Sequence, residues 1–195
     1  MPVDGTVPVL LRSALPLPLL MLVAVPVAWA APVDVAALVE CRQDVAGHAA
    51  FVALAADPLQ AVAAGLQPLP QGNQFMSEFR LAQRMTAFGH RTEHIALAGA
   101  SIMAVLDEAD PRPLAHQLTL ETAYDTDGKF MAGRELVSRD VTDAATGEAQ
   151  IESIILSVST VQSHPGKTLA GCTYSLDLPD DDEPPADPPR RSGAG

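Results

Sequence analysis

The last hairpin of the chain constrains the fold more than any other segment. Residues 151–178 hold two apolar runs that alternate with polar residues, a pattern typical of half-buried β-strands. A turn over residues 163–167 separates the runs, because it contains the proline and glycine that turns favour. In the second run Cys172 shares a face with apolar residues, so its side chain is predicted to point into the core. Cys41 is the only other cysteine, and the sequence therefore predicts a Cys41–Cys172 disulfide.

The first thirty residues have the features of a secretory signal peptide. Arg12 precedes an apolar run over residues 14–27, and residues 28–30 (Ala-Trp-Ala) fit the small-x-small pattern of a cleavage site. The run is shorter than the about 20 apolar residues that a membrane-spanning helix needs, and prolines interrupt it. We therefore predict that residues 1–30 are a cleaved signal peptide, with an uncleaved membrane anchor as the alternative.

Export defines the compartment and the domain organisation that we expect. A periplasmic or secreted protein meets oxidising conditions, in which two lone cysteines usually form a structural disulfide. No second apolar run is long enough to span a bilayer, so the mature chain is predicted to be soluble.

Residues 31–178 suit a single domain with one core. Residues 179–195 are acidic and proline-rich, and are predicted to be a disordered tail. Lipidation of Cys41 is a weaker alternative, because Glu40 stands where a lipobox needs a small residue.

The spacing of apolar residues within the domain predicts an α+β fold. Residues 44–55 repeat apolar side chains every three or four positions, as a helix does, and Asp57 followed by Pro58 is a good start for a second helix. Strand-like segments follow in two groups, with a short helix predicted at 111–118, while residues 119–124 fit either a strand or a loop. We predict two short N-terminal helices packed on an antiparallel sheet of about five to six strands, with a short helix between two groups of strands.

Charge and motifs exclude several classes of function. The formal net charge of −12 leaves no basic surface for nucleic acid, and it disfavours binding to anionic membranes. No Gly-x-Ser-x-Gly motif is present, and a cysteine held in a disulfide cannot act as a nucleophile. Ser163 and His164 are neighbours inside the predicted turn, and neighbouring side chains on an extended chain point apart, so the pair is not predicted to be catalytic. The sequence therefore predicts no catalytic residue and no cofactor.

The histidines form the one pattern that is compatible with a metal site. His90 and His94 are close in sequence, but on a strand a four-residue step separates side chains by roughly 13 Å. A further ligand, such as His164 or His116, would have to come from another segment. Residues 125–128 begin like a calcium-binding loop but lack the glutamate at its twelfth position, so a turn is predicted there. No metal site is predicted, and His90, His94 and His164 are the candidates if one exists.

These observations predict a binding protein rather than an enzyme. The leading hypothesis is an exported, disulfide-linked domain that binds another protein of the cell envelope. The alternative is a small metal-binding protein or hydrolase that uses His90, His94 and His164. No motif in the sequence assigns the chain to a family.

Overall fold

The computed structural model describes residues 33–179. The signal peptide predicted for residues 1–30 lies outside the described residues, and so does the predicted tail apart from Pro179. Within residues 33–179 no helix combines the length and the apolar character needed to cross a lipid bilayer.

Four short helices and eight strands make up the described part of the chain. The helices are α1 (Val35–Val39), α2 (Val45–Ala56), α3 (Pro58–Ala63) and α4 (Arg112–Gln117). The strands are β1 (Leu66–Pro68), β2 (Ser77–Ala87), β3 (His90–Ala98), β4 (Ser101–Leu106), β5 (Glu121–Thr126), β6 (Lys129–Thr142), β7 (Ala149–Ser159) and β8 (Thr168–Asp177).

All eight strands belong to one antiparallel sheet with the order β1-β2-β3-β4-β8-β7-β6-β5. Strands β1 to β4 form one meander, and β5 to β8 form a second. The two meanders meet where β4 pairs with β8, with Ile102 opposite Cys172 and Met103 opposite Gly171. Helix α4 connects the meanders. The centre of the sheet is therefore the seam between the two halves of the chain.

The fold class predicted from the sequence is wrong, because the sheet has eight strands rather than five or six and helices are a minor part of the domain. β1 has only three residues, too few to show an alternation of apolar and polar side chains. It ends in Pro68, which lacks a backbone N–H and is tolerated because β1 lies at the edge of the sheet. β5 is exposed at every position and carries no apolar face. The segment before Cys41 forms a separate helix, α1, in which Asp34 accepts the N–H of Ala37 at 3.0 Å.

The N-terminal helices cover one face of the sheet. The main core contains the fully buried Leu38 of α1, Phe51 of α2 and Ile102 of β4. Tyr174 of β8 also belongs to this core, and its hydroxyl donates to the carbonyl oxygen of Leu38 at 2.7 Å. The structure contains the Cys41–Cys172 disulfide, with 5.4 Å between the two Cα atoms. Both bonds fix the segment around α1 onto β8.

A second, smaller apolar cluster lies on the opposite face. It contains Ala96, Val105 and Leu169, which alternate along their strands with main-core residues. Met76, in the loop before β2, and Val161, in the loop before β8, pack against it. These two loops therefore cover part of the face that the helices leave open.

His48 of α2 gives a prediction about pH. Its ring is buried and stacks on Tyr174 with 4.9 Å between ring centroids, and no hydrogen-bond partner for Nε2 exists among the described residues. Burial lowers the pKa of His48 below its ordinary value of 6.5. The unfolded chain then binds a proton more readily than the folded chain. The contribution of the neutral, buried His48 ring to the free energy of unfolding is thus complete above pH 6.5, and it declines as the pH falls below that value.

Urea unfolding at about pH 7 and about pH 5.5 tests this effect. The free energy of unfolding of the wild type is expected to be lower at the lower pH than at the higher one. The decrease should be smaller in His48→Phe, which keeps the stacked ring but cannot titrate. Parallel losses in the two proteins would assign the pH dependence to other groups.

Candidate functional site

Glu78, His94 and His164 converge at the edge of the second apolar cluster. Nε2 of His94 lies 2.7 Å from Oε2 of Glu78, and Nε2 of His164 lies 3.0 Å from the same oxygen. The two imidazole rings are tilted by 49°, with 5.9 Å between their centroids. Two ring nitrogens thus share one carboxylate oxygen.

The register of the sheet and the loop before β8 bring the three side chains together. Glu78 pairs with Ala96 and Arg80 pairs with His94, so Glu78 and His94 are diagonal neighbours on one face. His164 arrives from a turn in which its own N–H donates to the carbonyl oxygen of Val161 at 3.0 Å. The turn lies over the sheet and so brings His164 into contact with Glu78, which is 86 positions earlier in the sequence.

Burial and hydrogen bonding have opposite effects on Glu78. The residue is only 8% exposed, and this burial alone would raise the pKa of its carboxyl group. Hydrogen bonds from His164 and His94 outweigh the burial and hold the pKa of Glu78 below its ordinary value of 4.5. Glu78 is therefore ionised at neutral pH. Because a carboxylate oxygen only accepts, Nε2 of each histidine carries a proton in the metal-free site.

A hydroxyl and an amide support the other nitrogen of His164. Oγ of Ser163 lies 3.0 Å from Nδ1 of His164, and the side-chain amide of Asn73 donates to the same Oγ at 3.2 Å. The expectation that the side chains of Ser163 and His164 point apart is wrong. The sequence correctly predicts a turn here, but the rule applied to the pair holds only for an extended chain, and the turn brings the two side chains together. Asn73 belongs to the loop before β2, so both covering loops contribute to the site.

The structure places the other histidine and aspartate candidates elsewhere. Nδ1 of His90 lies 3.0 Å from Oε1 of Glu108, and His90 takes no part in the cluster. Asp125 accepts a hydrogen bond from Nε of Arg112 at 3.1 Å, and this contact lowers the pKa of its carboxyl group. His116 lies in the last turn of α4. Of the three histidines considered together, His94 and His164 meet and His90 does not.

Sequence reasoning missed Glu78, Ser163 and Asn73 as members of the site. Glu78 is one of several charged residues on the polar face of β2, and its two histidine partners are 16 and 86 residues away. The signal that could have selected it is burial, since a charged residue this buried needs partners. The sequence alone does not reveal that burial, because a loop distant in sequence produces it.

The donor set suits a divalent transition metal ion. Glu78, His94 and His164 each offer one ligand atom, and these three atoms all lie within 4.8 Å of one another. A tetrahedral zinc ion with bonds of about 2.0–2.1 Å needs its ligands about 3.3 Å apart, so small side-chain rotations are sufficient. Imidazole and carboxylate together match Zn²⁺ and its neighbours in the first transition row rather than Ca²⁺.

The same contacts also have the connectivity of a serine hydrolase triad. Ser163, His164 and Glu78 form a chain of two hydrogen bonds, each of 3.0 Å. His94 adds a second imidazole on the carboxylate oxygen that would orient the base. A triad needs only one imidazole and gives His94 no role, whereas a metal site can use both imidazoles as ligands.

No protein-family model, curated protein or solved structure matches this chain. Its function is therefore inferred from the geometry of the site.

Proposed function

We propose that this chain is an exported protein of the cell envelope whose domain binds a divalent transition metal ion, for which Zn²⁺ is the probe. The observation that carries this proposal is the convergence of His94 Nε2 and His164 Nε2 on Glu78 Oε2, at 2.7 and 3.0 Å. Two imidazoles and a carboxylate make a three-ligand set that leaves one position of a tetrahedral ion open. The disulfide supports an oxidising compartment, periplasmic or extracellular.

The surroundings of His164 support this assignment. A bound ion replaces the Nε2 protons, so a neutral histidine ligand must carry its remaining proton on Nδ1. The hydroxyl of Ser163, 3.0 Å from Nδ1 of His164, can accept that proton in a hydrogen bond. Asn73 donates to the same hydroxyl and so helps to fix its position. Hydrogen bonds of this kind orient histidine ligands in metal sites.

The test is calorimetric titration of Zn²⁺ into purified, metal-free protein. The wild type is expected to bind one equivalent. His164→Ala and His94→Ala each remove one of three ligands and are expected to weaken binding by more than the about 10- to 100-fold that loss of a supporting residue causes. Melting temperatures of the metal-free variants separate loss of the ligand from loss of the fold.

His90→Ala is the matched control for this titration. It also removes an imidazole from β3, but its ring contacts Glu108 and not the cluster. Zinc affinity should therefore be unchanged in this variant. Absence of stoichiometric zinc in the wild type, or equal losses in the His90 and His94 variants, would overturn the proposal.

A serine hydrolase is the second candidate, because Ser163, His164 and Glu78 are linked by hydrogen bonds. Ser163→Ala distinguishes the two. A metal site loses only a supporting hydroxyl, so zinc binding should persist with reduced affinity. Ester hydrolysis by metal-free wild-type protein that Ser163→Ala abolishes would favour the hydrolase instead.

Binding to another envelope protein remains a proposal from the sequence. Helix α3 favours it, since Leu59 and Val62 lie three residues apart on one side of the helix and are 84% and 62% exposed. Two apolar side chains form a smaller surface than the several hundred Å² that interaction sites expose. The Glu78–His94–His164 cluster therefore carries the functional conclusion.

A further inference from the structure

A cleft with an excess of positive charge lies beside the Glu78–His94–His164 cluster. It has a volume of about 270 Å³, and His94 forms part of its wall. We call it the cationic cleft; its positively charged side chains are those of Arg80, Arg84, Arg91 and Lys167. Two carboxylates, from Glu93 and Asp107, also line it.

An irregularity in β2 concentrates the arginines in this cleft. Arg80 pairs with His94 and Met85 pairs with Thr92, so β2 has more residues than β3 over this stretch. As a result the side chains of Arg80 and Arg84 both reach Glu93, with N–O distances of 3.9 and 3.2 Å. One carboxylate thus faces two guanidinium groups.

The charges of the cleft do not balance. Among the residues that line the cleft there are four cations and two carboxylates. Lys167 is paired with Asp107, and the arginines of β2 share Glu93. Arg91 is exposed and has no ion pair or side-chain hydrogen bond among residues 33–179. Two positive charges remain in excess, in a chain whose formal net charge is −12. A local excess of positive charge on so acidic a protein marks a place where an anion is favoured.

We propose that the cationic cleft binds a phosphoryl group, either inorganic phosphate or the phosphomonoester of a small molecule. Such a group carries about −1.5 to −2 charge near pH 7, which matches the two excess positive charges. Guanidinium groups bind its oxygens with paired hydrogen bonds. The volume is just below the about 300–1,000 Å³ of pockets for drug-sized ligands, which selects a small anion. The acidic remainder of the chain repels an extended polyanion.

This site does not depend on the proposed metal. None of the four cations is a metal ligand, and only His94 belongs to both the cleft and the cluster. Phosphate binding can therefore be measured on protein stripped of metal. Glu78→Gln removes a metal ligand but no cation of the cleft, so it should keep its affinity for phosphate while it loses affinity for zinc.

The test is calorimetric titration of metal-free, full-length protein with inorganic phosphate and with glycerol 3-phosphate, at low and constant ionic strength. Saturable binding of either ligand is expected. Arg91→Gln should weaken it about tenfold or more, because it removes a charged donor that no other residue replaces. Similar affinity for the two ligands identifies the phosphoryl group as the part recognised, and tighter binding of the ester identifies a small phosphomonoester.

Arg134→Gln is the matched control, since Arg134 is an exposed arginine of β6 outside the cleft. It changes the net charge by the same amount and should leave phosphate affinity unchanged. Acetate, which has a single charge, should bind more weakly than phosphate. The proposal fails if the wild type shows no saturable binding up to about 10 mM phosphate, or if the Arg134 and Arg91 variants lose equal affinity.

Discussion

Replacing Gly171 with alanine is expected to destabilise the domain by about 3 kcal/mol or more, at the upper end of the usual cost of overpacking. Gly171 lies at the centre of β8, opposite Met103 of β4. A Cβ atom on Gly171 would overlap the carbonyl oxygen of Ile102 and lie 2.7 Å from Cα of Met103. These are backbone atoms, which cannot rotate away as a side chain can. They would have to move together with the hydrogen bonds that join the two meanders.

Gly133→Ala is the control for this substitution. Gly133 is also a strand glycine, but a Cβ there would lie 3.4 Å from the nearest atom, the carbonyl oxygen of Leu156, which is ordinary contact. Its effect on the free energy of unfolding is expected to stay within about 1 kcal/mol. Urea unfolding followed by circular dichroism measures both variants. Equal losses would show that the seam between β4 and β8 tolerates a side chain at Gly171.

The parts of the fold that the sequence predicts are those with a strong local pattern. β7 and β8 alternate apolar and polar residues over long runs, and the cysteine face of β8 follows from the same period. β1 is too short to show a period, and β5 has no buried position. Both are held by pairing with a longer neighbour, β2 or β6, through backbone hydrogen bonds that leave no apolar pattern in the side chains. Side-chain patterning alone therefore predicts fewer strands than the eight that the sheet contains.

The candidate site shows the same division between local and distant information. Residue type alone identified His94 and His164 as candidates, together with His90, whose ring contacts Glu108 in the structure. Which histidines meet depends on the pairing of β2 with β3 and on the turn that carries His164 over the sheet. Neither is encoded in the spacing of the histidines. Glu78 became recognisable only through its burial and its two imidazole partners.

Removal of the disulfide is expected to have the second large effect on stability. Cys41 and Cys172 close a loop with a sequence separation of 131 residues, which includes nearly all of the described domain. In the loop-entropy model such a crosslink stabilises the folded state by about 4–5 kcal/mol, because it restricts the unfolded chain. That is a large part of the about 5–15 kcal/mol by which domains are stable. The double variant Cys41→Ala, Cys172→Ala should therefore melt roughly 10 °C or more below the wild type.

Reductant provides the control that separates the crosslink from the packing of the two side chains. It should lower the melting temperature of the wild type towards that of the double variant and leave the double variant unchanged. Tyr174 still donates to Leu38 in both proteins, so α1 keeps one attachment to β8 when the covalent one is lost. A folded but less stable protein with increased protease sensitivity near α1 is therefore the expected product. Two alkylatable thiols in protein purified without reductant would contradict the disulfide, and a shift of only a few degrees would show that packing alone fixes α1 on the sheet.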